Sequence, residues 1–120
     1  MRKELDAFFK ATERWHLTLA ERRALLGASS ERWLRCLHEA DPQLSLQELA
    51  RVRAVIQIDR TLAMCVSDPR DIASWFRTLK VATPFLGRTP LALLFRDMEG
   101  FKAVAEHLVA WQERLKSNKE

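Results

Sequence analysis

Tyrosine is absent from this 120-residue chain, glycine occurs three times, proline four times and cysteine twice. A sequence so poor in glycine, proline and tyrosine offers few tight turns and little material for a sheet. Its wealth of Leu, Ala, Arg and Glu favours helix from end to end. Cys36 and Cys65 form no CxxC pair and are too few for a disulfide framework, so both read as reduced core thiols, in keeping with a cytoplasmic protein. No apolar run approaches the ~20 residues that would span a bilayer. In the opening MRKELDAFF, Glu4 and Asp6 interrupt the apolar residues, and no segment suited to a signal peptide follows. No membrane partner is expected.

Catalytic equipment is missing as well. His16, His38 and His107 stand alone, with no HExxH and no Cys/His spacing suited to zinc. The chain has no glycine-rich phosphate loop and no GxSxG. Nothing in it pairs a nucleophile with a base or holds a metal to activate water, which predicts a non-enzymatic protein without metal or cofactor.

What the chain does contain is apolar and charged material in balanced amounts: 48% hydrophobic residues and 30% charged ones, with 20 basic side chains against 16 acidic for a net charge of +4. A domain of this size buries roughly two-thirds of its unfolded surface. The basic excess permits nucleic-acid binding, although charges of both signs alternate along the chain as on a solvated surface.

Side chains able to cap free backbone N–H groups mark the helix starts. Thr18 with Glu21 and Ser45 with Glu48 have the spacing of capping boxes, and Asp68-Pro69 and Thr89-Pro90 place a cap before a proline at the first helical position. Together with apolar periodicity they predict helices at about 3–14, 19–26, 30–39, 46–66, 69–79, 90–96 and 98–116. Leu49, Val52, Val55, Ile56, Leu62 and Val66 form a wide stripe suited to a central helix. Phe101, Val104, Leu108, Trp111 and Leu115 recur along one face of the last helix. The predicted fold is all-α, with about seven helices.

In LTLAERRALLGASSERWLRCL, from Leu17 to Leu37, Thr18 caps one helix, Gly27 ends it where φ > 0 is tolerated, and Ser29 or Ser30 caps the next. This is the punctuation of a helix-turn-helix. Leu25, Leu26, Ala28, Trp33 and Leu37 are expected between the helices, leaving Ser29, Ser30, Glu31, Arg32 and Arg35 outside. Arg32 or Arg35 can then form bidentate bonds to guanine in a major groove, with the serines at phosphate. The DNA-contact set is Ser29, Ser30, Arg32 and Arg35, with Arg22 on the preceding helix; a plain helical hairpin is the other reading of the same residues.

These blocks, followed by DPQLSLQELARVRAVIQIDRTLAMCVSDPRDIASWF, LGRTPLALL and EGFKAVAEHL, resemble in their order the Xre/MbcA/ParS-type antitoxins across nearly the whole chain. The resemblance implies a helix-turn-helix region over residues 1–60 packed on a toxin-binding domain over 61–120. The family's Gly-Arg-Ser/Thr-Pro-Leu turn matches Gly87-Arg88-Thr89-Pro90-Leu91, whereas Leu79-Lys80 stands where Pro-Asn is usual and the loop is about two residues longer. On this pattern Gly87 frees the backbone, Thr89 caps, Pro90 starts a short helix and Gly100 lets the last helix cross it closely.

The resemblance further implies a homodimer that binds its operator DNA and neutralises a RES-like toxin, an enzyme that consumes NAD or transfers ADP-ribose from it. The toxin-contact set is Phe85, Arg88 and Arg96, expected to be exposed, with Arg114 and Lys116 beyond Trp111 on the last helix; Leu93 and Leu94 are expected to be buried. Two alternatives remain: a transcription regulator whose C-terminal helices only dimerise, and a small hydrolase or transferase subunit with a spatially assembled site.

Overall fold

The computed structural model describes residues 2–118, and five of its helices begin where capping side chains place them. In chain order they are α1 (Arg2–Arg14), α2 (Leu19–Leu26), α3 (Ser30–His38), α4 (Leu46–Cys65), α5 (Pro69–Arg77), α6 (Pro90–Arg96) and α7 (Met98–Asn118). Thr18 and Ser45 each accept from the third helical N–H while Glu21 and Glu48 reach back to the cap N–H, completing both capping boxes. Ser29, Asp68 and Thr89 cap α3, α5 and α6. The described residues are all-α; extended pairing is limited to one antiparallel bridge between Lys80 and Arg88.

Two helices end in paired reverse bonds. Gly27, at φ 74°, closes α2 with Ala28 N–H donating to Arg23 O. His16 takes the same left-handed conformation, φ 57°, after α1, with Leu17 N–H reaching Thr12 O at 3.1 Å. The second stop has no glycine to announce it. Helix α5 stops at Arg77, two residues earlier than predicted, because Thr78 is extended and Lys80 is drawn into the bridge with Arg88.

The spine is α4, packed chiefly against α7 and α1. Val52, Val55, Ile58 and Leu62 are fully buried, and Leu49, Ile56 and Val66 pack partly buried against the same core. On α7, Phe101, Val104 and Leu108 are fully buried, while Trp111 is half-buried. Each fully buried Leu, Ile or Phe side chain stabilises the fold by roughly 1.5–3 kcal/mol relative to exposure. One apolar cluster runs from Leu5 to Leu108, and the boundary between residues 60 and 61 falls inside α4.

A buried carboxylate ties three helices together. Asp59 on α4 accepts from the Trp15 indole N–H at 3.0 Å and from the Arg14 guanidinium, and Trp15 stacks on Phe76 of α5 with ring centroids 4.0 Å apart. A charge is tolerated there because both of its oxygens are bonded. Cys36 is buried and Cys65 half-buried, both free thiols, and burial raises both pKa values.

Candidate functional site

Between α5 and α6 the chain makes a loop that folds back on itself. Lys80 N–H donates to Arg88 O at 3.1 Å and Gly87 N–H to Lys80 O at 2.6 Å, while Ala82 O accepts from the N–H groups of Phe85 and Leu86. The tight return needs two successive left-handed residues, Leu86 at φ 49° and Gly87 at φ 86°. A Cβ on Gly87 would meet nothing within 4 Å, so its glycine serves the backbone angle alone. Gly100 serves the opposite need: a Cβ there would lie 1.9 Å from Leu93 O, so only glycine lets α7 cross α6 this closely.

That return corrects one expectation. Phe85 is not an exposed contact; it is 1% exposed, set edge-on against Trp75 at 6.0 Å and against His107 at 4.8 Å. The turn accepted by Ala82 O aims Phe85 inward and leaves Leu86 outside. Phe85 floors a hollow of about 170 Å³ lined also by Pro84, Leu86, Leu93, Arg88 and Arg96. Leu93 and Leu94 are buried as expected.

Arg88 and Arg96, eight residues apart in sequence, thus meet across one small cleft. The Arg88 side chain is exposed and forms no ion pair with any described residue, and Arg96 lies 3.6 Å from Asp97 on its own helix end. The cleft suits a carboxylate: two guanidiniums at the rim, an aromatic and aliphatic floor, and room for a short acidic side chain. Around it Leu79, Val81 and Leu86 are 69%, 89% and 71% exposed. Val81 and Leu86 carry a signal in the sequence, as large apolar residues outside every predicted helix, whereas Leu79 falls inside the helix predicted over 69–79.

Further positive charge flanks the loop. The Lys80 ammonium stands 5.3 Å over the Trp75 ring, and burial lowers its pKa. Burial lowers that of His107 too, helped by the charges of Arg114 and Lys80. Arg114 lines a separate hollow with Ala110, Glu113 and Ser117, and neither it, nor Trp111, half-buried against the core, nor Lys116, exposed near the end of α7, lines the hollow between Arg88 and Arg96.

At the other end, α3 is rolled differently from the expectation. Trp33 and Cys36 face the core, and Leu37, expected inside, is 39% exposed. The same roll turns Arg32 inward, where it is not free to read a base: it bonds Glu48 at 2.6 Å and Gln43 O at 2.6 Å. Ser29 is occupied as the cap of α3, Ser30 accepts from Arg23 at 2.7 Å, and Arg22 donates to Leu17 O at 3.2 Å. Of the five DNA-contact residues, Ser29, Ser30 and Arg35 are exposed, and of the three arginines Arg35 alone projects outward, held only by a 3.4 Å contact to Glu31. Arg23, exposed beside Ser30, joins it at that end.

Among the described residues no group of His, Cys, Asp and Glu could hold a metal ion, and no helix is long and apolar enough to cross a membrane. No family model matches this chain, and neither does any curated protein or solved structure.

Proposed function

We propose that this chain is a non-enzymatic, cytoplasmic antitoxin that acts as a homodimer. It binds a RES-like toxin through the 79–96 segment and operator DNA through α2 and α3. The observation that carries the reading is the hollow between Arg88 and Arg96 with Leu79, Val81 and Leu86 beside it. The unpaired Arg88 guanidinium, with Arg96 held only by its neighbour Asp97 and exposed apolar side chains beside both, fits an acidic, partly apolar protein surface far better than it fits solvent. An enzyme that binds a dinucleotide phosphate presents polar groups at its mouth, and an arginine-rimmed plug can cover them. The DNA arm is narrower than the sequence implies and rests on Arg35, with Arg23 and Ser30 at its edge.

Coexpression with the product of the neighbouring gene tests this. Arg88→Glu places a carboxylate beside the partner's acidic groups and should weaken the complex by roughly 2–5 kcal/mol, releasing toxicity. Circular dichroism should remain that of the folded helical protein, and promoter binding should survive, because Arg88 lies far from α3 in the chain. Full neutralisation by an Arg88→Glu/Arg96→Glu double variant would reject the hollow as the contact.

A further inference from the structure

Between α1 and α7 the outward stripe of α4, Arg53, Ile56, Gln57, Arg60 and Met64, recurs at helical spacing with no other element laid over it. Two shallow grooves flank the stripe and meet at Gln57. The first, of about 560 Å³, runs beside Glu4 and is lined by Arg53, Ile56, Arg60 and Thr61. The second, of about 330 Å³, lies between α4 and α7 and is lined by Ala105, Glu106, Val109, Ala110 and Glu113.

The charge left without a partner is divided between them by sign. The first groove carries Arg53 and Arg60 with Glu4, and the second Glu106 and Glu113. Arg53 is engaged by Glu4 at 2.9 Å, but Arg60, Glu106 and Glu113 form no ion pair with any described residue. Apolar surface lies between: Val109 is 37% exposed, Met64 63%, and Ile56 is half-buried.

We infer that this face joins two copies of the chain about a two-fold axis passing near Gln57. A surface meant for a foreign partner can carry one sign of charge throughout, whereas a face with the two signs parted across its middle is complementary to itself. A two-fold turn lays the arginine groove of one copy on the glutamate groove of the other, and the contact occurs twice because an isologous interface is reciprocal. Arg60 then meets the glutamate pair across the axis, Val109 and Ile56 are withdrawn from water, and the two Gln57 amides, each donor and acceptor, can bond one another. This assigns a surface to the dimer of the proposed function and stands on the charge pattern alone. Its failure would leave the Arg88 contact untouched.

Sedimentation velocity on the full chain tests it with two charge variants. Arg60→Glu sets like charges opposite each other at both symmetric contacts, and Glu106→Lys/Glu113→Lys does the same with the opposite sign. Each alone should weaken dimerisation by roughly tenfold or more while circular dichroism and melting stay those of the wild type. An equimolar mixture of the two should recover the dimer as a heterodimer, since both contacts then pair opposite charges. A monomeric wild type at micromolar concentration, single variants that dimerise as the wild type does, or a mixture that stays monomeric would each overturn the assignment.

Discussion

Leu86 sits in backbone that leucine avoids, at φ 49°, with most of its side chain in water. The left-handed region brings Cβ against the following carbonyl and disfavours an L-residue by roughly 1–2 kcal/mol. Side-chain burial does not offset that penalty, which fits a residue whose side chain is used outside the molecule. Asparagine occupies this region more readily. Leu86→Asn should therefore raise stability by about 0.5–1 kcal/mol, read as a higher urea midpoint, and weaken the toxin complex by roughly tenfold through lost apolar contact. Unchanged toxin affinity would show Leu86 to be a passive turn residue. Asp59 illustrates the contrary case, a charge that looks displaced until the Trp15 N–H and the Arg14 guanidinium are seen on its two oxygens.

At the scale of elements, the two capping boxes do more than start their helices. Glu21 also pairs with Arg77 of α5 at 2.7 Å, and Glu48 with Arg32 of α3 at 2.6 Å, so each box fastens a neighbouring helix to the N-terminus it caps. The Arg77 hydrogen bond holds the Glu21 carboxyl below its ordinary 4.5 against the opposing effect of burial, with the Thr18 N–H adding to it. For Glu48 burial is the largest influence and acts upward, but Arg32 and the Ser45 N–H together outweigh it and the pKa is lowered from 4.5. A carboxylate with a folded pKa below its unfolded value contributes stability that is fully present above the unfolded pKa and is lost as pH falls through the folded one. Urea midpoints should thus be insensitive to these two groups above pH 4.5 and decline below it. Glu48→Gln should lower stability at neutral pH by roughly 1–3 kcal/mol, because Arg32 loses its charged acceptor, and should flatten part of the acid decline. An acid decline of unaltered slope in that variant would assign the pH dependence to other groups.

Across the whole molecule, one continuous core runs through α4 and takes residues from both sides of its middle. Helix α4 supplies Val52, Val55, Ile58 and Leu62 to one apolar cluster shared with α1 and α7, and Asp59 links it to α1. Cutting the chain after residue 60 would divide α4 and expose that cluster. Equilibrium unfolding in urea, followed by far-ultraviolet circular dichroism and by tryptophan fluorescence, should give one coincident transition. The probe is well distributed, since Trp15, Trp33, Trp75 and Trp111 lie on or beside four of the elements. Two separated transitions would show that the residues before and after the middle of α4 fold as separate units.

The sequence by itself determined the helices, their caps and most of the faces they bury. Capping is a contact between residues three apart, and the apolar stripes repeat every three or four, so this information is local. At the joint, Thr89 and Pro90 were legible for the same reason, as a cap followed by a first helical proline, whereas the roles of Gly87 and Gly100 came from the family resemblance. Tertiary structure alone decided which charged and aromatic side chains remain free. Arg32 and Arg35 look equivalent on α3, yet one is consumed by Glu48 sixteen residues away and the other projects to solvent. Phe85 and Leu86 are adjacent apolar residues in a loop, and only the return of the chain onto Lys80 sends one under Trp75 and the other into water. The approach of Arg88 and Arg96 across one hollow, and the parting of charge on either side of Gln57, arise from elements packed together in space. No periodicity along the chain records such neighbours, because the partner of a charge is set by where remote segments come to lie.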